Sequence, residues 1–277
     1  MDKITKALEQ ARLKRHSVGN AAVAEPVLEV ASKEIVTGEI GNEINSAAIR
    51  KFHPDNSVLE KNRIINQDSS EEVVQPYKVL RTRFMQVLKE NGWSNIAVTS
   101  PTKNDGKTTV AINLAISIAS SMKSNSVLLD LDLWGPTIHT YFDYNPDVGL
   151  EAYFEKNTAL EQIIVSPEMD GLVIAPSSRP LRESSEYLST DKSIELLSKA
   201  QNILPDTVVI SDLPPLLISD DAISFLPYVD AVLLVIREGK TSKQDIEQAI
   251  ELLENVNIAG VVLTDAVDAS SHGYYYY

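Results

Sequence analysis

Six short apolar runs punctuate the chain from residue 96 onward: Ile96–Thr99, Val127–Leu131, Leu172–Ala175, Thr207–Ile210, Ala231–Ile236 and Ile258–Leu263. Each is continuous rather than alternating, as in strands covered on both faces. Helical patterns lie between them, clearest over 107–121, 191–203 and 241–255. The last of these predicts an N-cap at Thr241 with Gln244 three residues on, and Ile246, Ala249, Ile250 and Leu253 on one face. A further helix is predicted over 75–90, with Val79, Phe84, Val87 and Leu88 as its apolar contacts. Strands alternating with helices predict an α/β protein built on a doubly wound, mostly parallel sheet.

That sheet does not account for both ends of the chain. Residues 3–15 place Ile4, Ala7, Leu8 and Ala11 on one helical face among basic side chains, a short amphipathic basic helix over 1–15. Residues 16–70 lack sustained periodicity and hold one aromatic, Phe52, so they read as a disordered linker. A globular domain is expected over 71–268. Residues 269–277 read Ala-Ser-Ser-His-Gly-Tyr-Tyr-Tyr-Tyr, a tail that no core strand would need.

Composition removes several function classes. No run of about 18 apolar residues occurs, and the N-terminus has no secretory apolar core, so a cytoplasmic protein is expected. The chain has no cysteine and four scattered histidines, which excludes disulfide scaffolds, thiol catalysis and cysteine-based zinc sites. The formal net charge is −14. Such an acidic body repels a nucleic-acid backbone. A small anion held locally by backbone N–H groups remains compatible with it.

One segment has that capacity. Thr99-Ser-Pro-Thr102-Lys103-Asn104-Asp105-Gly106-Lys107-Thr108-Thr109 follows an apolar run and leads into a helix that is apolar nearly all round. This is the strand–loop–helix setting of a phosphate loop, spanning Thr102 to Thr109. Its backbone N–H groups face phosphates, Lys107 reaches the terminal oxygens and Thr108 can ligate Mg²⁺. Asn104 stands where a glycine is usual, and Asn tolerates a left-handed backbone better than most residues.

Two more strand ends carry carboxylates. Val127-Leu-Leu-Asp130-Leu-Asp132 puts two aspartates on one side of a strand, at its carboxyl end. Beside a triphosphate they suit Mg²⁺ binding and acceptance of a hydroxyl proton. Val208-Val-Ile-Ser-Asp212-Leu-Pro-Pro ends a strand in an aspartate that can orient Mg²⁺. A phosphoryl-transfer site in a chain ending in Tyr274, Tyr275, Tyr276 and Tyr277 suggests that the tail is its substrate.

Together these residues resemble the bacterial tyrosine autokinases of capsule and exopolysaccharide export, the BY-kinases, over roughly residues 71–277. The resemblance implies a P-loop NTPase fold close to MinD and ParA. It implies ATP and Mg²⁺ bound through Lys107 and Thr108, with Asp130, Asp132 and Asp212 organising metal and acceptor hydroxyl. It further implies phosphorylation of Tyr274–Tyr277 between neighbouring subunits of a ring-shaped homo-oligomer. An inner-membrane polysaccharide co-polymerase would supply an activating segment, and a tyrosine phosphatase would reverse the modification. The chain would then be cytoplasmic, peripheral to the inner membrane through that partner. Three places depart from the family pattern. Trp134 stands where an arginine usually closes the Asp130–Asp132 strand. Gln75, Lys78 and Arg81 hold the places of the oligomerisation motif Glu-x-x-Arg-x-x-Arg. The loop reads Lys103-Asn104-Asp105-Gly106-Lys107 against the usual Pro-Gly-Glu/Asp-Gly-Lys. The rival expectation is a nucleotide-binding scaffold, a degenerate kinase or a ParA/MinD-like switch. Against the switch, Thr102 stands where its second lysine would be.

Overall fold

The computed structural model describes residues 49–121 and 124–266. The basic helix predicted over 1–15 and the tyrosines at 274–277 lie outside the described residues. Eight strands form one sheet: β1 (Arg50–Lys51), β2 (Asn95–Thr99), β3 (Asn125–Asp130), β4 (Val165–Ser166), β5 (Leu172–Ala175), β6 (Thr207–Asp212), β7 (Ala231–Arg237) and β8 (Ile258–Thr264). Their order is β1-β4-β5-β3-β6-β2-β7-β8. Only β4 and β5 pair antiparallel; the remaining neighbours are parallel. All six apolar runs become strands. The two strands without a sequence signal, β1 and β4, are two residues long, too short to show a period.

The inner strands are covered on both faces, as continuous apolar strands require, whereas the edge strand β8 leaves Val261 and Leu263 exposed. Val127, Leu129, Val173, Val209 and Leu234 face one core cluster, while Ile96, Val98, Leu128, Ile210 and Leu233 face the other. The longer helices are α1 (Asn56–Lys61), α2 (Glu71–Asn91), α3 (Lys107–Ala119), α4 (Leu150–Lys156), α5 (Asp191–Gln201) and α6 (Lys243–Leu252). α3 is buried nearly all round because it lies between the sheet and α2. A helix with so few polar positions can be stable in water only in such an inner layer.

α2 begins four residues before the predicted start. Ser70 O accepts from the N–H groups of Val73 and Val74, and Glu71 and Glu72 suit the positive helix end. Pro76 therefore sits inside the helix rather than near its start. The helix ends at Gly92, whose φ of 69° lets its own N–H reach Leu88 O. In α6 the cap lies one residue beyond the prediction: Ser242 and Asp245 form the capping box, because Thr241 is engaged elsewhere.

The linker expectation is corrected over 49–70. Asp55 caps α1 through Ser57 N–H at 2.8 Å, and Leu59, Ile64 and Ile65 are buried in the same cluster as α2 and α3. Asn113 of α3 pins the segment by accepting from Ile65 N–H at 2.9 Å and donating to Arg63 O at 2.8 Å. Three isolated apolar residues show no periodicity, which is why this anchoring escapes a pattern search. Among the described residues no helix is long and apolar enough to cross a membrane.

Candidate active site

Register brings the carboxylates together. Asp130 on β3 is the partner of Asp212 on β6, and Asp212 in turn is the partner of Val98 on β2. Three neighbouring strands thus end at one point, and the loop after β2 lies over it. In open α/β sheets this carboxyl edge is the ligand-binding edge.

Within the loop, Asn104 has φ 65° and Gly106 φ 92°, so the left-handed backbone expected at Asn104 is present. Thr102 N–H and Oγ1 both bond Asp105 Oδ2 at 3.0 Å. Lys103 holds its ammonium 4.6 Å from the centre of the Trp134 ring. Thr109 Oγ1 approaches the Tyr141 hydroxyl at 3.5 Å. Gly106 caps α3, and a Cβ placed on it would meet Thr264 Cγ2 at 3.3 Å. Gly106→Ala is therefore expected to lower stability by about 1–2 kcal/mol from the left-handed backbone alone. It should also weaken nucleotide binding; a thermal melt and a fluorescent-nucleotide titration check both.

Lys107 lies in the middle of the acids. Its Nζ is 2.8 Å from Asp132 Oδ2 and 3.4 Å from Asp212 Oδ1, and its side chain is 11% exposed. Burial opposes its charge, but the carboxylates of Asp212 and Asp132 outweigh burial and keep it protonated. Thr108 Oγ1 donates to Asp212 Oδ2 at 2.7 Å. Burial raises the Asp212 carboxyl above the usual carboxylate range, with Lys107 and Thr108 pulling the other way. Asp130 is fully buried; burial first, and then the neighbouring Asp212, push it well above that range. Its Oδ2 accepts from Ile138 N–H at 3.1 Å, while Oδ1 has no partner.

That orphan oxygen is the test of fit for a metal. A buried carboxylate oxygen without a donor costs free energy unless a cation or water takes it. Among the described residues no three His, Asp or Glu form a preassembled cage. Mg²⁺ beside phosphates is commonly held through only one or two carboxylates, so Asp130, Asp212 and the Thr108 hydroxyl fit that role.

Side chains not singled out in the sequence complete the loop. Arg237 Nη1 donates to Asn104 O at 3.0 Å, and Arg237 pairs with Asp265 at 2.6 Å. Thr241 Oγ1 donates to Asp105 Oδ1 at 3.0 Å, and Thr264 Oγ1 to Asp105 O at 2.8 Å. Arg237 ends β7, whose Leu234 is paired with Thr99, so the arginine continues past the strand beside the loop. A charge closing an apolar run was the available signal. The residues at the oligomerisation-motif positions lie on α2. Gln75 is half-buried, Lys78 pairs with Glu71 at 3.1 Å, and Arg81 Nη1 donates to Ser117 O at 2.9 Å.

No family model matches the chain. Among curated proteins it is 29% identical over 223 residues to tyrosine-protein kinase YwqD of Bacillus subtilis (strain 168), covering 79% of this chain and 93% of that one. It is 28% identical to tyrosine-protein kinase ptk of Acinetobacter johnsonii and to tyrosine-protein kinase etk of Escherichia coli (strain K12), spanning only 28% of each. Among solved structures, the kinase domain of the E. coli tyrosine kinase ETK superposes with a TM-score of 0.65 at 25% identity, covering 84% of this chain and 98% of that chain. The VpsO kinase domain gives 0.60 at 28% identity, covering 69% and 94%.

A mostly parallel sheet with a phosphate loop after β2, facing carboxylates on β3 and β6, defines the P-loop class. Within that class, the similar proteins named above are tyrosine-protein kinases. Over most of its length the chain is similar to bacterial tyrosine-protein kinases.

Proposed function

We propose that the chain is an ATP-dependent protein-tyrosine kinase that phosphorylates the tyrosines at 274–277 and so regulates export of a capsular or extracellular polysaccharide. The observation carrying this reading is Lys107 seated between Asp132 and Asp212, with the unpartnered Asp130 oxygen beside them. A lysine already bridging two carboxylates can exchange one of them for a terminal phosphate oxygen. The loop N–H groups from Thr102 to Thr109 would hold the remaining phosphates. Asp130, Asp212 and Thr108 would hold Mg²⁺, which when bound neutralises charge on the phosphate oxygens.

In the transfer, the phenolic oxygen of an acceptor tyrosine bonds to the γ-phosphorus as that phosphorus parts from its bridging oxygen. ADP leaves, and the phenolic proton passes to a carboxylate. Asp132 is the one at the mouth, its side chain 13% exposed against 0% for Asp212. Phosphate adds close to two negative charges per tyrosine. Phosphorylation of all four residues should therefore loosen a homo-oligomer formed in part through Gln75, Lys78 and Arg81. A membrane-embedded co-polymerase would bring the kinase to the membrane and activate it, and a tyrosine phosphatase would reset it.

The test is intact-mass analysis of the full chain, stripped with a tyrosine phosphatase and then incubated with ATP and Mg²⁺. Phosphate additions are expected, and they should disappear when Tyr274–Tyr277 are all changed to Phe. Nucleotide binding without any addition, even with a supplied activating segment, would instead identify a nucleotide-sensing scaffold.

A further inference from the structure

We propose that Trp134, braced by Lys103, is the platform on which the acceptor tyrosine ring stacks. The inference rests on the tyrosine-kinase reading and adds to it how the acceptor is recognised. Beyond β3 the chain keeps alternating: Leu131 and Leu133 are buried, whereas Asp132 and Trp134 turn outward. Leu133 O accepts from Leu181 N–H at 2.8 Å, and Gly135 N–H returns to Asp132 O at 3.1 Å. This turn fixes the indole two residues from the carboxylate that grips Lys107. Trp134 is 60% exposed, the most exposed large apolar side chain among the described residues. An exposed indole two residues from Asp132 offers an aromatic face on which a second ring can stack.

The ligand is narrowed by three observations. Lys103 lies over the ring at 4.6 Å, so the platform is already braced from the phosphate loop. The indole is an apolar face with no acceptor to offer, suited to an aromatic ring rather than to a serine or threonine side chain. The same chain carries four consecutive tyrosines at 274–277. A stacked phenol also leaves its hydroxyl free for the carboxylates, whereas an arginine here would offer a fork for anions. After transfer, the new phosphate would lie near the Lys103 ammonium.

The experiment uses the full chain carrying Tyr274–Tyr277→Ser, so that its own rings do not compete. A labelled peptide Ser-His-Gly-Tyr-Tyr-Tyr-Tyr is titrated without ATP, and its KM and kcat are measured with ATP, Mg²⁺ and a supplied activating segment. Trp134→Ala should weaken peptide binding and raise KM about five- to tenfold, the range of one aromatic pair. Nucleotide affinity should stay unchanged, and Trp134→Phe should restore most of the loss. Unchanged peptide affinity in Trp134→Ala overturns the proposal. So does a loss confined to nucleotide affinity, which would assign the ring to the adenine. Should no variant transfer phosphate while the peptide-binding difference persists, the platform stands and the kinase reading falls.

Discussion

Asp130→Asn is expected to make the metal-free protein more stable while cutting phosphate incorporation by about 10²-fold or more. The two effects share one cause. In the absence of nucleotide and metal, Asp130 is buried beside Asp212, with one oxygen unpartnered. Burial and the second carboxylate raise it well above the ordinary 3.8. A carboxyl raised on folding binds its proton more tightly in the folded state, so stability falls as pH climbs from about 4 through the folded value. Chemical denaturation in EDTA should show that decline in the wild type and a flatter profile in Asp130→Asn. Mg²⁺ with nucleotide should reverse the order by stabilising the wild type more. An identical pH profile in the two proteins would contradict the buried-acid account.

Lys107→Met should act the other way on stability and more severely on activity. Lys107 is the cation that neutralises Asp132 and Asp212. Removing one partner of a buried ionic cluster costs about 3–5 kcal/mol; the low end is expected because Asp212 keeps the Thr108 hydroxyl. Loss of the group proposed to meet the terminal phosphate should reduce incorporation by about 10³-fold. Adding Asp130→Asn to Lys107→Met should restore more stability than Asp130→Asn gains in the wild type, and none of the activity, since the two residues share one electrostatic cluster. Strict additivity of the two stability changes would show that they do not interact.

How much of this was readable from the chain depended on range. All six strand positions and the loop at 102–109 followed from local pattern, because doubly covered strands leave long apolar runs and a phosphate loop is contiguous. The convergence of Asp130 and Asp212 needed only the parallel sheet. What escaped was set by distant partners. Thr241 looked like a helix cap because its local surroundings permit one, but the buried Asp105 on another segment claims its hydroxyl. Arg237 and Thr264 reach the loop only because β7 lies beside β2 and β8 beside β7 in the sheet. Residues 49–70 were misread because their anchoring comes from three side chains and Asn113, not from a period.

The bracing of the phosphate loop by Arg237, Thr241 and Thr264 also bears on the order in which the protein is made. The loop leaves the ribosome more than 150 residues before Thr264 follows it. Until then Asp105 has neither the Thr241 nor the Thr264 hydroxyl, and the Asn104 carbonyl lacks its arginine. A nascent or prematurely terminated chain would therefore carry the nucleotide motif without the frame that shapes it. The loop can take its final shape only once β8 has been made.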